Sequence, residues 1–131
     1  MTVVIDSGVW ISAFQFGGTP LAALERAFLS DTIAYCDQIL AEIQIVLTRK
    51  FAWDSIDIRA LLADFLIQGT EIEVLHTLHG ISRDPKDDMV FECAVIAKAN
   101  RIVSGDRDLL VVGRYQGIHI LTPREYLASW D

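Results

Sequence analysis

The chain has 131 residues, 52% of them apolar and 22% charged, which suits one globular domain and excludes a disordered, charge-dominated segment. Eighteen acidic residues against eleven basic ones give a net charge of −7. That balance excludes a generally basic nucleic-acid coat, though not an enzyme that meets phosphates through bound cations. Cys36 and Cys93 make no disulfide framework and read as buried free thiols. The N-terminus has no basic leader region, and Asp6 interrupts its first apolar run, so no secretory signal is expected. Residues 7–24 are uncharged, but Gln15, Gly17, Gly18 and Pro20 break them well short of a membrane span. A soluble, cytoplasmic protein is expected.

Residues 2–5, TVVI, are β-branched and apolar and predict a buried strand ending at Asp6. Pro20 suits a first helical position, with Leu21, Leu24, Ala27 and Phe28 on one face. Thr32 to Cys36 predicts a second strand. Asp37 then stands as an N-cap for a helix running to Lys50 through Ile39, Leu40, Ile43, Val46 and Leu47. Ser55 or Asp57 opens another helix, which Gly69 closes. Glu71 to His76 predicts a third strand, followed by a polar loop, Ser82 to Asp88. Met89 to Ala99 is a helix stopped at Asn100, and Arg101 to Ser104 a short strand. A turn at Gly105–Asp108 leads into a helix over Leu109–Val112, then a strand at Ile118–Leu121 and a helix at Pro123–Trp130. Strands alternating with helices imply a mostly parallel sheet covered on both faces.

In such sheets ligands bind beyond the carboxyl ends of the strands, so acids there merit sorting by position. Asp6 ends the first strand, and Asp106 follows the Arg101–Ser104 strand. Asp88 opens the helix leading into that strand, and Glu42 lies early in the Asp37 helix. Singly, each has an ordinary role as a turn, cap or solvated residue. Together, four carboxylates on one rim repel unless a cation sits among them. Oxygen-only ligands suit Mg²⁺ or Mn²⁺.

Three segments extend this reading. VVIDSGVWISA resembles the first motif of the PIN domain family, a hydrophobic strand, an Asp, a small hydroxyl residue and an apolar helix start. ILAEIQIVLTRKF is similar to the second motif, with its acid at Glu42, and RDPKDDMVFECAVIAKANRIVSGDRDLL to the third and fourth. The chain thus resembles the short single-domain members that serve as VapC-like toxins of bacterial toxin–antitoxin pairs. The resemblance implies one domain over residues 1–131 with a three-layer α/β fold. Its central, mostly parallel sheet would have about five strands. It also implies a metal-dependent endoribonuclease leaving a 5′-phosphate and a 3′-hydroxyl. Mg²⁺ or Mn²⁺ would be held by Asp6, Glu42, Asp88 and Asp106, with Ser7, Asp87, Ser104 and Asp108 as auxiliary positions. Asp88 is preferred to Asp87 because its spacing to the Ser104-Gly105-Asp106 turn matches the family better. RNA, a cognate antitoxin and a second copy of the chain are the implied partners. Gly8 departs from the pattern, standing where an Asn usually helps to orient the first acid.

Other readings fit less of the chain. An aspartyl phosphatase wants a second acid two residues after Asp6, where Gly8 stands. There is no phosphate-binding glycine loop and no dinucleotide fingerprint. His76 and His79 form an H-x-x-H pair without a nearby cysteine, a weak zinc signal. The scattered Trp10, Trp53 and Trp130 suit core or partner contacts better than base stacking. The main alternative is a catalytically degenerate member of the same fold that binds a protein or nucleic-acid partner.

Overall fold

The computed structural model describes residues 1–129, so Trp130, the expected end of the last helix, lies outside the described residues. Val3, Val4 and Ile5 are buried on both faces of β1 (Thr2–Ile5), as a central strand requires. Parallel to it run β2 (Thr32–Tyr35) on one side and β4 (Arg101–Val103) on the other. β3 (Thr70–Glu71) extends the sheet beyond β2. β6 (Ile118–Leu121) extends it beyond β4, and β5 (Arg114–Tyr115) pairs antiparallel to β6 at the edge. The order is β3-β2-β1-β4-β6-β5. From β1 the chain moves outward through β2 and β3, then returns across β1 to β4. The crevice between the carboxyl ends of β1 and β4 is therefore a topological switch point.

The sheet has six strands where about five were expected. The sixth arises because Gln116 and Gly117 both adopt positive φ, 49° and 80°. A two-residue turn of that kind suits the twist of a tight hairpin. The strand expected over Glu71–His76 shrinks to Thr70–Glu71: the Ile72 N–H still donates to the Tyr35 carbonyl at 2.7 Å, but those of Leu75 and His76 go to the Glu92 carboxylate.

Among the described residues, seven α-helices flank the sheet. α1 (Ser7–Phe16) and α2 (Gly18–Ser30) form the first pair, and Gly17 at φ 71° closes α1 with its N–H on the Ala13 carbonyl at 2.9 Å. No helical period betrays α1, since SGVWISAFQF is apolar nearly all round. Its Trp10 is fully buried, with the indole N–H donating to the Ile5 carbonyl at 3.2 Å. Phe14 and Phe65 meet the Trp10 ring edge-on at 5.9 and 5.8 Å. α3 (Asp37–Phe51) and α4 (Ser55–Leu66) follow, the latter capped by Asp54 accepting from the Ile56 N–H at 2.8 Å. Gly69 is required by close approach: a Cβ there would lie 2.9 Å from the Ile33 carbonyl oxygen. The remaining helices are α5 (Asp88–Ala97), α6 (Arg107–Leu110) and α7 (Pro123–Ala128). Cys36 and Cys93 are free and buried, as expected. Among the described residues, no helix is long and apolar enough to cross a membrane.

α5 packs against β1, β2 and β4, and two of its acids organise the loop before it. Glu92, 2% exposed, accepts the backbone N–H groups of Leu75, His76, Thr77 and Leu78 at 2.5–2.8 Å. Asp88, one turn earlier, accepts those of Gly80, Ile81 and Ser82 at 2.8–3.1 Å. Burial pushes the Glu92 carboxyl up, but the four amides outweigh it and hold the group at about 2. The resulting stability is complete above the ordinary value of 4.5 and is lost as pH falls through about 2. Glu92→Gln would set an amide NH₂ against backbone donors. It is expected to lower unfolding free energy near neutral pH by about 2–4 kcal/mol, measured by urea denaturation. A loss below about 0.5 kcal/mol would contradict this role.

Candidate metal centre

β1 delivers Asp6 to the switch point, where its N–H donates to the Val103 carbonyl at 2.9 Å. Its carboxylate accepts the Ser104 hydroxyl at 2.9 Å, and the Ser104 oxygen in turn accepts the Asp106 N–H at 3.0 Å. Asp106 caps α6, with one carboxylate oxygen accepting the Asp108 N–H at 2.9 Å. A single buried hydroxyl therefore fixes the Asp6 side chain relative to the backbone of the second acid. Glu42 reaches the same place from the second turn of α3, and Asp87 from the end of a 3-10 turn, Pro85–Asp87.

Asp6, Glu42, Asp87 and Asp106 line one cleft of about 360 Å³, with Ser7 and Gly8 in its wall and no lysine or arginine. Burial, relieved in part by Ser104 and then reinforced by Glu42 and Asp106, raises the Asp6 carboxyl to about 6. Asp87 is raised to about 7, first by burial and then by Asp106, Asp6, Asp84 and Asp108. Its Oδ2 is buried with no hydrogen-bond partner. Clustered carboxylates with raised proton affinity and an orphaned oxygen fit a divalent cation, and an all-oxygen donor set suits Mg²⁺ or Mn²⁺.

Asp88, which the spacing selects, is not in this cleft. Adjacent residues on a helix diverge by about 100°, so Asp87 and Asp88 point to different places. All of the Asp88 carboxylate is engaged by loop amides. The signal was present in the sequence: Asp88 and Glu92 are four apart and share a helix face, whereas Asp87 is out of phase with both. Asp108 stands at the rim, paired with Arg83 at 2.8 Å. Asp84, which the sequence reading passed over, caps the 3-10 turn and lies with Asp87 and Asp108. One oxygen from each of these three falls within 4.8 Å of the others. Ser7 and Ser104 are both buried beside Asp6.

Gly8 sits in the first turn of α1, and a Cβ on it would make ordinary contact, 4.0 Å from Asp6 Oδ2. A side chain at this position therefore has room in the cleft.

The raised carboxyls set the sign of a pH effect. Folded Asp6 and Asp87 hold protons above the usual value of 3.8, so the metal-free fold binds more protons than the unfolded chain between about 4 and 7. The contribution of these two groups to stability is greatest below that window and falls as pH rises through it. In EDTA, urea denaturation is expected to show lower stability at about pH 8 than at about pH 5. Asp87→Asn is expected to recover about 1 kcal/mol at the higher pH, discounted for the partial exposure of the side chain. Stability that rises with pH across this window would contradict the arrangement.

Comparison with curated protein sequences returns no match. The structure superposes on VapBC2 from Rickettsia felis, solved bound to a DNA fragment from its promoter, with a TM-score of 0.62 at 14% identity. That alignment covers 92% of this chain and 97% of the other. It also superposes on Mycobacterium tuberculosis VapC20, a Sarcin-Ricin loop cleaving toxin, with a TM-score of 0.61 at 14% identity, covering 89% of this chain and 98% of the other. At identities this low the superpositions establish a shared fold alone. The sequence itself matches the PIN domain over residues 2–108. The chain therefore belongs to the PIN domain family.

Proposed function

We propose that the protein, acting as one domain over residues 1–131, is a metal-dependent endoribonuclease and the toxin of a toxin–antitoxin pair. The observation that carries this reading is the cleft itself, in which four acids from separate elements converge with no basic residue in its lining. Asp6, Glu42, Asp87 and Asp106 would hold Mg²⁺ or Mn²⁺, with Asp84 and Asp108 adding negative charge at the rim. The bound cation would supply Lewis-acid chemistry, polarising a phosphoryl oxygen and orienting water. Ser104 keeps the Asp6 carboxylate aimed by donating to its Oδ2. Asp87 Oδ2, free of protein donors, is available to a ligand or a proton.

The fold shared with a Sarcin-Ricin loop cleaving toxin supports RNA as the substrate class. The likeness to VapBC2 supports an antitoxin partner, and a second copy of the chain belongs to the same proposal. The expected products are a 5′-phosphate and a 3′-hydroxyl.

Purified protein incubated with total RNA and Mn²⁺ or Mg²⁺ is expected to give discrete fragments that vanish with EDTA. Asp6→Asn and Asp87→Asn are each expected to lower the rate by about 100-fold or more. Asp88→Asn serves as the contrast, losing stability while keeping Mn²⁺ affinity wherever it remains folded. Metal-independent cleavage, or an Asp6→Asn variant as active as the parent, would overturn the proposal.

Gly8 gives a gain-of-function test. With ordinary contact distance to Asp6 Oδ2 and no positive φ at the glycine, Gly8→Asn is expected to fold normally. It should raise Mn²⁺ affinity several-fold in calorimetry by adding a carboxamide beside the first acid. Weaker binding in a folded variant would show that the open space at Gly8 serves something else.

A further inference from the structure

A second basin, of about 350 Å³, adjoins the acidic cleft, and Glu42 lines both. Its walls include Gln38 from α3 together with His76, His79 and Lys86. Asp88 and Glu92 also reach it, but all four of their carboxylate oxygens accept backbone N–H groups. Beside the Glu42 carboxylate, the polar side chains left to meet a ligand there are the Gln38 amide, two imidazoles and the Lys86 ammonium, with His76 donating through Nδ1 because its Nε2 faces the Gln38 NH₂. Among the described residues, Lys86 is the one lysine or arginine lining either basin. Arg83, by contrast, is paired with Asp108.

The histidines are not adrift on a loose loop. Of residues 75–82, every one except His79 gives its backbone N–H to Asp88 or Glu92. His76 is held at φ 58°, a left-handed conformation in which histidine is more common than most L residues but which still costs energy. Its Nε2 lies 3.3 Å from the Gln38 side-chain nitrogen, which ties the ring to α3. Neither histidine belongs to a group of three metal-ligating residues among the described residues, so a zinc site lacks its third ligand. Two buried carboxylates thus fix an irregular segment that sets donors beside a site otherwise lined by acids.

Resting on the nuclease reading above, we propose that this basin is the subsite for the RNA strand flanking the bond to be cut, with Lys86, His76 and His79 receiving its backbone phosphate. The acidic cleft handles the scissile phosphate through its cation, but its own lining offers no basic side chain to the phosphate next along. Beyond Glu42 the neighbouring basin supplies those donors. The imidazoles in its lining also offer faces on which an unpaired base can stack.

The test compares the full chain with Lys86→Ala, Lys86→Arg and His76→Asn, the last keeping a residue that tolerates positive φ. Steady-state cleavage of a single-stranded oligoribonucleotide is measured at several salt concentrations, with Mn²⁺ affinity measured separately by calorimetry. Lys86→Ala and His76→Asn are expected to raise KM about tenfold with kcat and Mn²⁺ affinity little changed. Lys86→Ala should also reduce the log–log salt slope of 1/KM by about 0.7, and Lys86→Arg should restore it. Unchanged KM and salt slope in an active enzyme would overturn the subsite and leave the nuclease reading intact. If the parent chain cleaves no RNA, anisotropy with the same labelled oligoribonucleotide decides. Salt-dependent binding lost in Lys86→Ala would support the subsite while the nuclease reading fails, and absence of binding would overturn it.

Discussion

Mutual repulsion among carboxylates is the constraint on which the site depends. The topology brings the carboxyl ends of β1 and β4 side by side at the switch point, and each strand hands an acid to the crevice. α3 and the turn before α5 add two more. With no basic residue in the cleft, the internal relief is hydrogen bonding to Asp6 and Asp106 and protonation of Asp6 and Asp87. A fold that maximised stability alone would not gather these groups. Their assembly makes sense when a cation offsets the charge, which links the fold to the chemistry proposed for it.

The junction of the 3-10 turn with α5 makes this possible by facing two ways. Asp87 and Asp88 are neighbours in sequence, yet Asp87 serves the cleft while Asp88 and Glu92 satisfy the amides of the preceding loop. The two roles require opposite electrostatics. Glu92 is surrounded by donors and is held ionised, whereas Asp87 lies among acids and is held toward its protonated form. Loop and cleft are consequently coupled through a single helix, and the donors of the second basin are placed by the same residues that leave Asp87 free.

Much of this was legible in the sequence. TVVI, the Asp37 helix and the Arg101–Ser104 strand follow from local pattern, and they place Asp6, Glu42 and Asp106 at one end of the sheet. α1 was hidden from periodicity because a sequence apolar on nearly every side of the helix has no polar face to set a period. The Glu71–His76 segment reads as a strand, but the Leu75 and His76 N–H groups at its end go to a carboxylate distant in sequence, which no local pattern reveals. The choice of Asp88 over Asp87 rested on linear spacing, and spacing alone does not resolve two adjacent acids on a helix. Helical phase relative to Glu92 does.

The most direct test of the central claim is Mn²⁺ calorimetry at about pH 6.5 in two buffers of different ionisation enthalpy, which separates cation binding from proton release. The account predicts saturable binding accompanied by net release of protons, because the cation displaces those held by Asp6 and Asp87. Asp87→Asn should bind more weakly and release fewer. Absence of Mn²⁺ binding, or binding with no proton release and no sensitivity to Asp87→Asn, would contradict it.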